Sequence, residues 1–355
     1  MLACYRTVLI ACAALLLLFS GCLWAEEEAT LRVMTFNIRY AALTSPGHEW
    51  ELRREIIVRI IESWRPDIVA LQEDMTEQVR YLAQALPEYG VISGPVSGAP
   101  RTVPWGIASC VAFGTAGALA LHRSRRAERA RRWRIAGAAL VCLGILLVSF
   151  ALWLRYVAQF DGEHNSVLYR CATVEPLRSD FFWLSKVPDK PQSVMTWWTH
   201  LPRVVTRCAL RLRDTGQTVV VYNVHLSPVS VTLQRRGMGV VLDHVAEENE
   251  ADLTIVAGDF NTNERGAACR LLEQSGFRSA WSSAEEHLGP EFTSHMFRGE
   301  KVRLSRRFGR VDHIFLRPPR PVRRVEIVTY SERGRYPSDH FPVVADVVLL
   351  AQSEE

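Results

Sequence analysis

The stretch Leu253-Thr254-Ile255-Val256-Ala257-Gly258-Asp259-Phe260-Asn261 runs an apolar, β-branched segment straight into a glycine, an aspartate and an asparagine. The same pattern recurs along the chain. Leu31 to Phe36 leads to Asn37, Ile68 to Leu71 to Gln72 and Glu73, and Val219 to Tyr222 to Asn223 and His225. Asp312 sits inside Val311 to Leu316, and Asp339 and His340 immediately precede Phe341 to Val348. Short runs of this kind, bounded by turn residues, read as buried strands. Burying a polar side chain without a partner costs about 2 kcal/mol or more. Strands that carry Asn, Glu, Asp and His at comparable places therefore imply one shared cleft at a sheet edge.

Between these strands the chain alternates into helices. Leu52, Ile56, Ile57, Ile60, Ile61 and Trp64 share one face of a helix predicted from Trp50 to Trp64, ending before Pro66 as the pre-proline restriction requires. Further helices are predicted near Glu77 to Leu86 (Val79, Leu82 and Leu86 inward), over Val231 to Glu248, and from Arg265 to Ser275, stopped by Gly276. The later strands follow one another closely, which suggests mixed pairing in two packed sheets.

Two segments fall outside this α/β pattern. Residues 1–25 read as an export signal, with Arg6 at its start and an apolar stretch from Val8 to Phe19. Phe19-Ser20-Gly21-Cys22 resembles a lipobox, in which Cys22 would carry lipid; cleavage after Ala25 and an uncleaved anchor are the other two readings. Residues 101–158 contain Val103 to Leu121, apolar and rich in Gly and Ala, and Ile135 to Leu154, which is long enough to span a bilayer. The loop between them holds seven Arg and one Glu from Arg123 to Arg134, a strong positive-inside signal. The expectation is a transmembrane helical hairpin with a cytoplasmic loop, and a domain split into 30–100 and 159–350 that lies outside the cytoplasm. A helical hairpin buried in a soluble protein is the alternative, but it would not need so many Arg at its tip.

Composition is consistent with this division. A chain of 355 residues, 48% hydrophobic, can bury one large or two ordinary cores. Its net charge of +4 is concentrated in that one Arg loop, leaving the remainder slightly negative, so the basic balance is poor support for a nucleic-acid surface. Of eight Cys, five lie in the apolar segments; Cys171, Cys208 and Cys269 form no metal motif and read as small buried hydrophobes, or as one disulfide plus one thiol if exported.

Glu73, Asp259, Asp339 and the amide oxygens of Asn37 and Asn261 are hard oxygen ligands, suited to Mg²⁺ or Mn²⁺ rather than zinc. A metal with His and amide donors is the equipment for phosphoryl transfer to water. Singly, each residue has a plainer reading: Asn37 as a turn residue, Glu73 and Asp74 as caps, Asp259 and Asn261 as an Asx turn, His225 and His340 as satisfied core histidines. His313 should point to the opposite face from Asp312, and His164, His287 and His295 read as surface or loop groups. Ser338 lacks a nucleophile elbow. Arg207, placed before a strand, reads equally as a substrate-phosphate contact and as a surface residue.

In this order, Thr35-Phe36-Asn37, Leu71-Gln72-Glu73, Asn223-Val224-His225-Leu226, Gly258-Asp259-Phe260-Asn261, Val311-Asp312-His313-Ile314 and Ser338-Asp339-His340 resemble the endonuclease/exonuclease/phosphatase superfamily, which includes pancreatic deoxyribonuclease, neutral sphingomyelinases and inositol polyphosphate 5-phosphatases. Gly162 to Arg170 and Phe182 to Ser185 are similar to a bacterial branch of it. The resemblance implies a four-layered α/β sandwich. It gives Asn37, Glu73 and Asp339 to the metal, Asp259 to the attacking water and Asn261 to the scissile phosphate. His340, held by Asp312, contacts the phosphate or acts as base; His225, oriented by Glu163, binds it from the opposite side, with Asn223 on the substrate side. The implied function is a metal-dependent phosphoric ester hydrolase, foremost a phosphodiesterase. Its expected partners are a lipid, nucleotide or nucleic-acid phosphate ester and a membrane bilayer, with no protein partner inferred. An exterior nuclease, a sugar or inositol phosphomonoesterase and a non-enzymatic membrane scaffold are the rivals.

Overall fold

The structure, a computed structural model, describes residues 29–41, 46–94, 163–189, 203–249, 251–301 and 309–350, with four isolated positions between 138 and 144. The export signal and the lipobox expected from sequence lie outside the described residues, as does the transmembrane hairpin apart from those four positions. Among the described residues no helix is long and apolar enough to cross a membrane.

In chain order the elements are β1 (Thr30–Asn37), α1 (Trp50–Trp64), β2 (Ile68–Gln72), α2 (Thr76–Ala85), β3 (Tyr89–Ile92), β4 (Val167–Arg170), β5 (Val174–Trp183), β6 (Val204–Leu212) and β7 (Thr218–His225). They continue with α3 (Val231–Ala246), β8 (Leu253–Asp259), α4 (Ala267–Gln274), β9 (Arg278–Ser279), α5 (Ala280–Ser283), β10 (Ala284–Leu288), β11 (Asp312–Arg317), β12 (Val322–Ile327) and β13 (Val343–Val348). One sheet runs β10-β12-β13-β1-β2-β4-β3 and the other β5-β6-β7-β8-β11-β9. Both are mixed: β1 lies parallel to β2, and β7 to β8, while β1–β13 and β8–β11 are antiparallel.

Three apolar clusters make the layering. Leu31, Val33, Ala70, Val219, Val221, Ile255, Ala257, Ile314 and Leu316 fill the seam between the sheets. Val220, Tyr222, Val224, Val256 and Phe315 face outward against Met238, Val241 and Val245 of α3 and Ala268 and Leu272 of α4. Met34, Phe36, Val69 and Leu71 face outward against Ile56, Ile57, Ile60 and Ile61 of α1 and Leu82 of α2. This is the helix–sheet–sheet–helix sandwich that the resemblance implies.

Helix α1 has the predicted limits and closes on Arg65, in the left-handed region just before Pro66. Leu52 departs from its expected inward place and is 41% exposed, so the buried stripe is narrower than the periodicity suggests. On the inner face of α1, Arg53 is fully buried and donates to the carbonyls of Ile38, Arg39, Tyr40, His48 and Pro337. It thereby pins the loop after β1 to the loop before β13.

At the edge of the first sheet, β3 pairs antiparallel with β4 across the segment 95–162. Ser93 and Ser166 hydroxyls are 3.0 Å apart, and the Gly94 carbonyl meets His164 Nδ1 at 2.7 Å. The chain thus leaves and re-enters this sheet at neighbouring points.

Candidate active site

Side chains alternate between the two faces of a strand, and that alternation builds the site. In β1, Leu31 and Val33 point into the seam, so Asn37 does too. In β7, Val219 and Val221 set the phase that Asn223 and His225 continue; in β8, Ile255 and Ala257 do so for Asp259. Asp312 shares its face with Ile314 and Leu316, and lies opposite Asp259 in the β8–β11 register. Where the apolar filling of the seam ends, the polar residues begin. Each sheet supplies one side of the cleft.

Three site residues then break the strand rhythm. Arg39, Glu73 and Asn261 have φ of 58°, 60° and 51°, in the left-handed region. Non-glycine residues occupy it at a cost of roughly 1–2 kcal/mol each, and all three follow a strand end. Gly258, just before Asp259, has φ +147°, and a Cβ there would lie 1.9 Å from the Val224 carbonyl oxygen, so glycine is obligatory where β8 meets β7.

Asn37 Nδ2 donates to Glu73 Oε1 and to Asp259 Oδ2, both at 3.1 Å. Asp259 Oδ1 accepts from the Asn261 backbone N–H at 2.8 Å, and Asn261 Nδ2 bonds the Leu226 carbonyl. His340 Nδ1 is 2.8 Å from Asp312 Oδ2 and 3.9 Å from Asp259 Oδ2. His225 Nε2 faces Asp259 Oδ2 at 3.6 Å. The Asp312 N–H donates to Thr293 Oγ1, and Ser338 Oγ donates to the Asn37 carbonyl at 2.6 Å, tying the Asp339–His340 loop to the end of β1.

Electrostatics follow from burial. The Asp259 carboxyl is pushed up to about 7 by burial and by neighbouring Asp312, against the opposing pull of His340. Burial alone would lower the His340 imidazole, but Asp312 and Asp259 outweigh it and hold its pKa well above the ordinary 6.5. His225 goes the other way: burial, then the Arg203 cation, then His340, push it well below 6.5, so it is neutral.

Most of the residues expected from sequence therefore meet: Asn37, Glu73, Asp259, Asn261, Asp312, His340 and His225, with Asp339 alongside. Others do not take the expected places. Arg207 lies within β6, not before it, on the face away from the seam, and pairs with Asp180. Asn223 is fully buried behind the site, where its amide donates to the Leu71 and Ser166 carbonyls and accepts from Gln72, so its hydrogen bonds join the two sheets. Glu163 does not bond His225 directly; Arg203 stands between them. His164 and His295 are buried, not surface groups: His164 bonds Gly94 and Thr76, and His295 stacks on Phe341. His313 points away from the cleft onto Phe260, as alternation requires.

Two arginines went unrecognised in the sequence. Arg203 meets His225, and Arg39 reaches Glu73 Oε2 at 3.3 Å and Asp339 Oδ2 at 3.8 Å. The signal for Arg39 was its place two residues after Asn37; for Arg203 only the opening of a strand marked it.

The donor set fits a hard divalent cation. Glu73 and Asp339 provide carboxylate oxygens at one end, both reached by the Arg39 guanidinium, and Asn37 Oδ1 beside them accepts from the Arg39 backbone N–H. Among the described residues, Asp259, Asp312 and His340 form a second grouping, with one donor atom from each within 4.8 Å of the others. Asp312 Oδ1 there is buried with no hydrogen-bond partner, an orphaned acceptor suited to a cation or a proton.

Comparisons with known proteins agree with this geometry. An endonuclease/exonuclease/phosphatase from Bacteroides vulgatus is similar in fold, with 22% identity, a TM-score of 0.68, and 91% of this chain and 100% of that chain covered. A mannosyl-6-phosphatase from Bacteroides thetaiotaomicron has 21% identity and a TM-score of 0.66, covering 90% and 100%. D. rerio TDP2, solved with a single-strand DNA product, has 15% identity and a TM-score of 0.57, covering 91% and 100%. No curated protein matches the chain. The Endonuclease/Exonuclease/phosphatase family signature matches residues 34–340, from within β1 to His340, and the chain belongs to that family.

Proposed function

We propose that the chain is a Mg²⁺- or Mn²⁺-dependent phosphoric ester hydrolase that acts as a phosphodiesterase, tethered to a bilayer with its catalytic domain outside the cytoplasm. The observation that carries the hydrolytic reading is the meeting of Asp259, His225 and the Asp312–His340 pair with Asn37 and Glu73 at one end of the seam. Asn37, Glu73 and Asp339 would hold the metal, whose charge polarises the phosphate and neutralises its oxygens. The Asp259–Asp312–His340 grouping suits proton chemistry better, because His340 is a cation bonded through Nδ1.

Asp259 takes a proton from the attacking water. A carboxyl near 7 has the affinity a general base needs at neutral pH, and Asn37 and Asn261 fix its orientation. His340 donates one N–H to Asp312 and keeps Nε2–H for a phosphate oxygen, its charge opposing the negative charge that builds in the transition state. Diester rather than monoester chemistry is favoured by charge. The Arg39 and Arg203 guanidinium groups are both already engaged by carboxylates, which suits a monoanionic phosphate better than a dianionic one.

The bilayer tether rests on residues 1–25 and 101–158. A sugar phosphate monoester is the second reading, favoured by the fold likeness to the mannosyl-6-phosphatase. The deciding experiment is a hydrolysis screen of the purified full chain over phospholipid, nucleic-acid, aryl diester and sugar phosphate substrates. Diester turnover that vanishes with chelator, returns with Mg²⁺ and falls at least about a hundredfold in Glu73→Gln is expected. Failure of every ester to react with either metal would refute the reading, and a chain that stays at the bottom of a flotation gradient while the membranes rise would refute the tether.

A further inference from the structure

The family resemblance implies a carboxylate–histidine pair, Glu163 orienting His225. Such a pair puts the ring proton on the nitrogen facing the carboxylate and leaves a lone pair on the other. The structure has a different order. Arg203 NH1 lies 2.7 Å from His225 Nδ1 and 2.9 Å from Glu163 Oε2, while Glu163 Oε2 and His225 Nδ1 are 3.9 Å apart, too far for a hydrogen bond. A guanidinium group has five N–H donors and no acceptor. The ring nitrogen facing it can therefore only accept.

It follows that Nδ1 carries the lone pair and the single proton of the neutral ring sits on Nε2. That nitrogen faces Asp259 Oδ2 at 3.6 Å and looks into the cleft. We infer that Arg203, itself held by Glu163, is a positioning residue that fixes His225 as its Nε2–H tautomer, so that His225 serves the reacting phosphate as a hydrogen-bond donor and cannot act as a base. The geometry around Arg203 supports this. Its side chain is 11% exposed and it immediately precedes β6; the Leu184 N–H donates to its carbonyl, and the carbonyl of the next residue, Val204, accepts from Asn165. A group so anchored holds one contact geometry rather than sampling several. The role at the phosphate rests on the hydrolase reading above; the tautomer does not.

The test is a long-range ¹H–¹⁵N correlation spectrum of the full chain labelled at histidine nitrogen, with chelator present, at about pH 7.5, where a neutral ring has its ordinary form. Subtracting the spectrum of His225→Gln identifies the His225 signals. Wild type is expected to show an unprotonated Nδ1 and a protonated Nε2. Arg203→Lys, also a pure donor, should keep that pattern, whereas Arg203→Met should shift it toward mixed tautomers and lower kcat/KM at least tenfold. An Nδ1–H tautomer or an imidazolium in wild type, or an unchanged pattern in a folded Arg203→Met, would overturn the inference. Should Arg203→Met fail to fold, the wild-type and Arg203→Lys spectra decide it. Absence of any hydrolysis would refute the function and leave the tautomer standing, so the two failures are separable.

Discussion

Replacing Asp259 by Asn removes a group the fold holds in an unfavourable state, and the structure sets the size of the effect. The usual Asp value is 3.8, and burial followed by the Asp312 charge raises it to about 7 in the folded protein. A raised carboxyl favours the folded state fully below the unfolded value and loses that contribution as pH climbs through the folded one. Three units at about 1.36 kcal/mol each give about 4 kcal/mol of destabilisation in wild type at pH 8, and less than about 2 kcal/mol at pH 5. The amide of the Asp259→Asn variant does not ionise and loses nothing over this range. The swap also sets two amide nitrogens face to face with Asn37, a penalty of about 1 kcal/mol that is the same at both pH values. His340 keeps its hydrogen-bonded partner Asp312, the larger of the two carboxylate influences that raise it. Urea unfolding of metal-free wild type and Asp259→Asn, at pH 5 and pH 8, should show the variant gaining about 2 kcal/mol more at the higher pH. Equal gains at both pH values would refute the reasoning, because they would mean that Asp259 releases its proton at the ordinary place.

Three further outcomes are expected. Arg53→Met should lower stability by about 3 kcal/mol in urea unfolding, because it strips a side-chain donor shared by the β1 and β13 loops from buried carbonyls. Gly258→Ala should abolish activity and lower the melting temperature, since its methyl group meets backbone at 1.9 Å and cannot be accommodated by a side-chain shift. Replacing residues 95–162 with a short Gly/Ser turn should leave a cooperative unfolding transition intact, because β3 and β4 already pair across the gap; a variant lacking a cooperative transition would show that the segment belongs to the folding unit.

The strands could be read from sequence because a buried sheet imposes uninterrupted apolar runs, and the helix from Trp50 to Trp64 because its Ile pairs recur at helical spacing before a proline. The acids, amides and histidines at the strand ends could be read because such groups are out of place beside a core. Arg203 and Arg39 could not: an arginine near a strand end is ordinary at a surface, and only the meeting of distant segments makes it a partner for His225 or Glu73. The same holds for His164 and His295, whose burial is decided by loops that fold over them. Arg207 shows the converse: β6 begins three residues before it, at Val204, and alternation then turns its side chain away from the seam that Cys208 and Leu210 face.

The site draws Asn37, Glu73 and His340 from one sheet and its connections, and His225, Asp259 and Asp312 from the other. Neither sheet alone holds an acid–base pair together with an anion-binding partner. Turnover is therefore a readout of sheet docking, and an intermediate with one sheet frayed would be catalytically silent even with most of its secondary structure in place. Amide-exchange protection in the seam-facing strands and the loss of turnover should track each other along an unfolding titration. The cleft thereby doubles as the molecule's own reporter of an intact core.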